Sequence, residues 1–133
     1  MKKAIYLFVA LIVLLSSCTK RDDNGLLGGN WQLSSTVYFS VYTDLAQWRD
    51  TRDWSARYMS YFRHSGDSLV LTLTDGTPGM YKNDGSNDTP ITSAAEIPAK
   101  FHVPANFGYR IQRLTSDSLI LEAQGDVVRL RRY

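Results

Sequence analysis

Cys18 carries the most reactive side chain of the sequence and is the only cysteine among its 133 residues. It comes directly after Ser16 and Ser17, which follow a short apolar run at residues 4–15, and two lysines precede that run. A basic start, a short apolar centre and small residues at the end are the pattern of a signal peptide. A membrane-spanning helix would need about 20 apolar residues. The sequence therefore predicts an export signal that ends at Cys18.

The tetrapeptide Leu15-Ser16-Ser17-Cys18 resembles the lipobox of bacterial lipoproteins. The resemblance implies that residues 1–17 are removed as a signal peptide and that acyl chains on Cys18 hold the protein at a membrane. Two or more such chains give stable anchoring. Residues 18–27 then form a flexible tether ahead of a folded domain at 28–133. The alternative is an ordinary secretory signal with an incidental cysteine.

The tether begins with a charged stretch, Lys20-Arg21-Asp22-Asp23. A basic residue followed by paired acids at this position resembles the surface-export signal of Bacteroidetes lipoproteins. The resemblance implies an outer membrane lipoprotein that is exposed on the cell surface. The alternative is a plain solvated spacer.

Other side chains that could catalyse a reaction or bind a metal do not form a recognisable site. His64 and His102 have no metal-ligand spacing. Residues 84–88 alternate oxygen ligands as a calcium loop does, but the required glycine and distal acid are missing. Glu96 and Glu122 are the only glutamates, and neither a nucleophile elbow nor a phosphate-binding glycine loop is present. The sequence predicts no enzyme, no metal and no cofactor.

The charge balance argues against a nucleic-acid partner. The whole chain has 15 basic and 13 acidic residues, and removal of Lys2 and Lys3 with the signal leaves 13 of each. A neutral domain lacks the basic field that nucleic-acid binding requires. With Cys18 acylated, no thiol remains for a disulfide, so stability has to come from packing alone.

Two groups of residues are candidates for binding or modification. Trp48, Arg52, Trp54 and Tyr58 could form a rim that stacks on a ligand or a partner, since tryptophan and arginine are enriched at binding hot spots. The alternative is that the two tryptophans simply cap the fold.

Ser68 and Ser118 occur in the repeated motif Asp-Ser-Leu. The motif resembles the O-glycosylation sequence of Bacteroidetes envelope proteins, which implies a sugar on each serine. The alternative is that aspartate and serine only shape two turns.

Alternating apolar residues predict a chain built of β-strands. Strands are predicted at residues 31–42, 55–63, 68–74, 109–114, 118–123 and 127–132, with a further short strand at 97–103. Residues 44–54 could form a short helical turn, a loop or an irregular strand end. Residues 75–96 are rich in Gly, Pro, Asn and Asp and predict a long loop.

The predicted fold is all-β, a small antiparallel up-and-down barrel of about eight strands, because tight turns join most neighbours and closure removes exposed edges. Gly29-Asn30-Trp31 resembles the Gly-x-Trp motif of lipocalins. Together with the Asp-Ser-Leu hairpins and the basic last strand, it resembles the small lipocalin-like lipoproteins of Bacteroidetes. The resemblance implies that Trp31 closes one barrel end under Arg132, which alternation places on the inner face.

Two functions remain open for this predicted non-catalytic monomer. In the first, a cavity lined by Leu69, Leu71, Leu119 and Leu121 binds a small apolar ligand or a glycan. In the second, the barrel is solid, and its rim and the 75–96 loop contact another envelope component or an enzyme that the protein inhibits. A cavity above about 300 Å³ at those leucines would favour the first, and a filled interior with an exposed aromatic rim the second.

Overall fold

The structure, a computed structural model, describes residues 25–133 and consists of ten β-strands and three short 3-10 helices in that range. The strands are β1 Gly29–Gln32, β2 Val37–Val41, β3 Leu45–Asp50, β4 Asp53–Ser65, β5 Ser68–Thr72, β6 Met80–Asn83, β7 Asp88–Ile91, β8 Gly108–Leu114, β9 Ser118–Ala123 and β10 Asp126–Arg132. The 3-10 helices are Gly25–Leu27, Ala94–Glu96 and Ala99–Phe101. No helix in this part of the chain is long and apolar enough to cross a bilayer.

Eight of the strands form a closed antiparallel barrel, which confirms the predicted fold class. The order around the barrel is β1-β2-β3-β4-β5-β8-β9-β10, and β10 pairs with β1 to complete the circle. Since neighbouring strands alternate in direction, their connections fall at two ends. We call the end that holds Gly25–Leu27 and the turns at 42–44, 66–67 and 115–117 the N-terminal end. We call the opposite end the mouth.

The strand predicted at residues 31–42 was wrong in its continuity, because the structure divides it into the hairpin β1–β2. Leu33 N donates to Val37 O and Val37 N donates to Ser34 Oγ, so the four residues between the strands form a closed turn. A four-residue turn preserves the odd–even alternation. Trp31 and Phe39 therefore lie opposite each other on the inner face, and the pattern alone did not reveal the break.

The helical turn considered for residues 44–54 was also wrong, since β3 occupies this segment. Ala46, Trp48 and Asp50 point inward at every second position. Hydrogen-bonded neighbours on both sides, β2 and β4, override any local tendency to a helical turn.

The long loop predicted at residues 75–96 contains the hairpin β6–β7. This hairpin extends β4 beyond the end of β5, by pairing along Arg57–Met59. It was missed because its turn residues outnumber its apolar ones. Pro90 lies in the outer strand β7, as is expected of an edge strand that has no neighbour on its far side.

The strand considered at residues 97–103 is not formed either. The structure has two 3-10 turns in this region, and Pro98 precedes the second of them. Residues 92–107 cross the mouth from β7 to β8, and we call this segment the plug. It places Phe101 and Phe107 in the core, where each is nearly inaccessible to solvent.

Candidate functional site

Phe101 closes the mouth by inserting its ring into a stack of aromatic side chains. Its ring centroid lies 6.0 Å from that of Trp48 and 5.6 Å from that of Tyr58. Trp48 in turn stacks on Phe39, with 4.7 Å between ring centroids. Since aromatic pairs at these distances contribute about 0.5–1.5 kcal/mol each beyond their burial, the mouth is a packed contact and not an open entrance.

A lysine next to Phe101 fastens the plug to the β3–β4 turn. Lys100 Nζ lies 3.0 Å from Asp50 Oδ2 and 3.6 Å from Asp53 Oδ2. Hydrogen bonds from Arg52 N–H and from Lys100 lower the pKa of Asp50, and the bond to Asp50 raises the pKa of Lys100. Both groups are therefore charged over a wide pH range, and the contact holds the plug throughout it.

A buried tyrosine supports the plug from below. Tyr109 donates from its hydroxyl to the carbonyl oxygen of His102 at 3.0 Å. His102 has a φ of 51°, in the left-handed region, where the chain turns out of the second 3-10 helix. Burial raises the pKa of Tyr109, so its hydroxyl keeps its proton and remains a donor.

Three buried polar side-chain atoms have no hydrogen-bond partner among residues 25–133. These are the indole Nε1 of Trp48, the Nε of Arg49 and the hydroxyl of Ser60, and both Trp48 and Ser60 are completely buried. The Tyr109 hydroxyl, which donates to His102 O, lies close enough to the Trp48 indole N–H for this donor to offset part of the rise that burial causes in the pKa of Tyr109. A buried atom without a partner costs about 1–3 kcal/mol, which the surrounding aromatic packing has to offset.

A pocket of about 380 Å³ lies at the mouth, between the plug and the β9–β10 turn. Polar atoms make up about half of the accessible lining, although most of the lining residues are apolar: Ala94, Ala95, Ile97, Pro98, Ala99, Val103, Pro104, Ala123 and Val128. Three polar residues complete it: His102, Gln124 and Asp126. His102 Nδ1 lies 4.0 Å from Asp126 Oδ2, and both side chains are open to solvent, at 43% and 79% exposure. The pocket thus combines an apolar wall with accessible hydrogen-bonding groups.

The four leucines expected to line an interior cavity are packed in the core. Leu69, Leu71, Leu119 and Leu121 are completely buried and belong to one hydrophobic cluster with the interior aromatic side chains. Five cavities of the described chain, from about 20 to 380 Å³, are all lined by other residues. An interior ligand cavity at these leucines is therefore not what the structure shows.

The four predicted rim residues separate into two pairs. Trp48 is 0% exposed and Tyr58 is buried, and both point into the barrel, so the rim role predicted for them is wrong. The reason is alternation: they are directly paired on the inner faces of β3 and β4. Arg52 and Trp54 remain outside, and Trp54 is 64% exposed at the mouth.

At the N-terminal end the structure brings Trp31 and Arg132 together. The guanidinium carbon of Arg132 lies 3.8 Å from the centroid of the Trp31 ring, and the two residues are paired across β1 and β10. Trp31 Nε1 donates to Leu27 O at 2.9 Å. The first 3-10 helix is thereby held over the barrel, and Leu27 and Trp31 are completely buried.

The remaining predicted sites are placed as follows. Ser68 begins β5 and is exposed, whereas Ser118 begins β9 and is half-buried. Cys18, the signal peptide and most of the tether lie outside the described residues. Within residues 25–133, no group of three or more His, Cys, Asp or Glu side chains is arranged to hold a metal ion.

Sequence reasoning missed the plug, which is the most important element of the mouth. Phe101 and Phe107 lie in a proline-containing stretch without regular alternation, so the pattern does not predict whether their side chains point into the barrel. The available signal was composition: Ile97, Phe101, Val103 and Phe107 are too apolar for a solvated connection.

Comparisons with known proteins agree with this architecture. A family model described as a lipocalin-like domain matches residues 13–133. A solved lipocalin-like protein from Bacteroides uniformis has a TM-score of 0.54 at 14% sequence identity, over 82% of this chain and 100% of that one. An uncharacterized protein from Bacteroides eggerthii has a TM-score of 0.51 at 12% identity, over 80% of this chain and 99% of that one. At such identities the similarity is one of fold alone. No curated protein sequence matches the chain.

Proposed function

This chain belongs to the lipocalin-like domain family, and from that membership we propose that it is a non-catalytic binding protein of the cell envelope. Barrels of eight strands are just wide enough to be filled by side chains or to hold one small ligand. In this barrel the interior is filled, so the ligand site that we propose is the pocket at the mouth.

The single observation that carries the proposal is the composition of that pocket. Its volume of about 380 Å³ falls at the lower end of the range of small-molecule sites, roughly 300–1,000 Å³. Apolar side chains together with a few polar groups that fix the orientation of a ligand are typical of such sites. Since about half of the accessible lining is polar, the ligand class is a small molecule that carries both an apolar part and hydrogen-bonding groups, which His102, Gln124 or Asp126 would contact.

Lipid anchoring at Cys18 fits the orientation of the barrel. Residue 25 enters at the N-terminal end, and the chain from 18 to 25 reaches at most about 24 Å when extended. An anchor on Cys18 would thus keep the N-terminal end close to an outer membrane and leave the mouth facing away from it. Ligands would reach the pocket from the medium, whichever face of the membrane carries the protein.

The ligand proposal is tested on residues 18–133, the protein without its signal peptide. The NMR signals of its backbone amides are followed during titration with hexanol and with hexanoate. We expect saturable shifts confined to residues 94–104 and 123–128. Ala95→Trp, which fills the pocket, should abolish them. Ala105→Trp changes an exposed alanine of the plug outside the pocket lining and should not. Shifts that persist in Ala95→Trp, or that spread through the barrel, would contradict a mouth site.

Native mass spectrometry of protein purified from its own host identifies what occupies the pocket in the cell. A small molecule that co-purifies with the wild-type protein and not with Ala95→Trp would support the proposal. A protein that co-purifies with both would favour the second function below.

Lipidation is tested separately with labelled palmitate in growing cells. Cys18→Ala should abolish incorporation of the label, whereas Ser17→Ala keeps the cysteine next to a small residue and should be labelled. Continued labelling of Cys18→Ala would contradict the anchor.

The exposed Trp54 favours a second candidate function, an interaction with another envelope protein through the mouth rim. A tryptophan that is 64% exposed next to Arg52 is the type of residue that anchors protein interfaces. Under this alternative, Trp54→Ala would release the partner and leave hexanol binding unchanged.

O-glycosylation of the Asp-Ser-Leu motifs is a further part of the proposal. Ser68 is accessible, whereas Ser118 N–H is held by Thr115 Oγ1 in the β8–β9 turn. We expect mass spectrometry of the native protein to find sugar on Ser68 in a larger fraction of molecules than on Ser118. Protein without sugar on either serine would remove the idea.

A further inference from the structure

The barrel is closed by a short ladder at one seam, between β1 and β10. Only two residue pairs join these strands, Trp31 with Arg132 and Gln32 with Arg131. On its other side β10 is paired with β9 along six residues. The ladder stops because β1 ends at Gln32 and the following turn leads away to β2. Among residues 25–133, the mouth-side half of β10 therefore has no neighbouring strand at the seam.

The direction of the unpaired backbone groups follows from the register. Tyr133 N donates to Asn30 O, towards β1, and Arg132 N donates to Asp117 O, on the β9 side. Since N–H and C=O directions alternate along a strand, residues 127 and 129 point their N–H and C=O groups towards the seam. The N–H of Leu33 does not pair with them, because it donates to Val37 O. Arg129 thus presents its N–H and C=O groups to an open groove, and Val127 points the same two groups to the same side of β10, closer to the mouth.

The groove next to these groups has a volume of about 360 Å³ and a defined chemistry. Leu33 and Leu130 supply apolar surface, and Ser34 and Ser35 line it from the β1–β2 turn. Arg129 and Arg131 line it from β10. Arg131 Nε donates to Gln32 Oε1, and neither arginine forms an ion pair with a described residue. The groove is therefore positively charged along its outer side.

We infer that the seam is a strand-addition site for an extended peptide segment that carries an acidic side chain. The peptide backbone would continue the ladder of β1 along Val127 and Arg129, as happens when a peptide joins an exposed sheet edge. A residue directly opposite Arg129 projects its side chain to the same outer face. A glutamate or aspartate there would lie between Arg129 and Arg131. This site is separate from the mouth pocket, and its occupant is a peptide and not a small molecule.

Hydrogen exchange on the free protein tests the first step. The N–H groups of Val128 and Leu130 are paired with β9, whereas those of Val127 and Arg129 point to the seam side of β10. We expect the second pair to exchange at least about tenfold faster than the first. Equal protection of all four amides would show that the seam is closed and would overturn the inference.

Peptide titration tests the occupant. The probe is acetyl-Glu-Val-Thr-Val-amide, followed through the amide signals of β10 and the β1–β2 turn. Its first residue is the glutamate opposite Arg129, because Gln32 already occupies the position opposite Arg131. We expect shifts at Val127, Arg129 and residues 33–35, together with slower exchange of the two seam amides. A peptide with lysine in place of glutamate, and one N-methylated at the glutamate, should each bind at least about tenfold more weakly. Equal binding of the N-methylated peptide, or no shift at the seam, would overturn strand addition.

Charge reversal provides the matched variants. Arg129→Glu should prefer the lysine peptide over the glutamate peptide. Arg113→Glu, on the outer face of β8 across Ile120 from Arg129, should keep the wild-type preference. Unchanged preference in Arg129→Glu would contradict the acidic occupant. If the seam amides instead become protected as the protein concentration rises, without peptide, a second copy occupies the groove and the inference is wrong. The exchange and N-methylation measurements use the wild-type protein, so they decide the question even if a variant fails to fold.

Discussion

The guanidinium group of Arg132 lies flat against Trp31, with 3.8 Å between the guanidinium carbon and the centroid of the indole ring. Its nitrogens also donate to three carbonyl oxygens, those of Leu26, Gly28 and Ser116. One side chain of the last strand therefore joins the entering chain, the first strand and the β8–β9 turn. This contact closes the N-terminal end in the way that the plug closes the mouth.

Replacing Arg132 with alanine should lower the free energy of unfolding by about 2–4 kcal/mol, because the cation–π contact and three hydrogen bonds are lost together. Arg131→Ala is the matched control. It removes a neighbouring arginine with one exposed hydrogen bond, and it should cost less than about 1 kcal/mol. Urea denaturation measures both. Equal destabilisation by the two variants would show that Arg132 has no special role in closing the barrel.

Gly29→Ala should be destabilising by about 1–3 kcal/mol, for two reasons that reinforce each other. Gly29 has a φ of 118°, which side-chain-bearing residues rarely adopt, and a Cβ there would lie 2.6 Å from Arg132 Nη1. Gly125→Ala is the control, since Gly125 also has a positive φ but open space around it. The double variant Gly29→Ala, Arg132→Ala should be less destabilised than the sum of its parts. Strict additivity would mean that the two sites do not touch.

Phe101→Ala should open the mouth and destabilise the fold by about 3–5 kcal/mol, the usual cost of removing a buried phenylalanine side chain. In a Trp54→Phe background only the buried Trp31 and Trp48 remain. Acrylamide should then quench the part of the fluorescence that comes from Trp48, which the closed mouth protects, and leave the part from Trp31 at the opposite end. Val103→Ala shortens another plug residue and should leave the quenching unchanged. If Phe101→Ala leaves Trp48 protected, the plug is not what seals this end.

The contact between Lys100 and Asp50 should make the plug sensitive to extreme pH. The pKa of Asp50 is lowered in the fold, so its contribution is complete above the ordinary aspartate value of about 3.9 and is lost as the pH falls through the lowered pKa. The pKa of Lys100 is raised, so its contribution is complete below about 10.4 and is lost as the pH rises through the raised pKa. The protection factors of the amides of residues 97–107, that is, their exchange rates relative to an unstructured chain at the same pH, should therefore fall at both extremes.

Asp50→Asn should remove most of the acid-induced change in plug exchange. Asp126→Asn, a carboxylate of the same barrel end that does not contact Lys100, should retain it. An Asp50→Asn protein that still loosens its plug in acid would assign the effect to other carboxylates.

The barrel was predictable because it rests on local patterns, and its N-terminal closure was implied by the resemblance of Gly29-Asn30-Trp31 to the lipocalin motif. Alternation places Leu69, Leu71, Leu119 and Leu121 on inner faces whatever strands lie beside them, and all four are buried. The same parity put Arg132, not Arg131, on the side of Trp31, and the two residues are in contact.

The mouth was less predictable because its contacts join distant parts of the chain. The pattern of residues 44–54 does not predict a regular strand, so the sequence favours a position at the rim for Trp48. Only the pairing of β3 with both β2 and β4 turns this side chain inward. The hairpin β6–β7 was read as a loop, because four-residue strands between glycines and prolines have too few apolar positions to show a period.

The sequence by itself determined an all-β chain, the faces of most strands, several of the turns that join them and, once the resemblance to lipocalins had pointed to Trp31, the arginine that pairs with it. Only the tertiary structure decided that the interior is filled, that Phe101 closes the mouth and that the seam beside β10 stays open. The physical reason is that alternation indicates which side of a strand a residue faces, but does not indicate which residues of other strands or loops it will contact. Lys100 reaches Asp50 from 50 positions along the chain, and no local pattern of charge or hydropathy encodes that meeting. Barrel closure brings such residues together, and it also determines where a ladder ends.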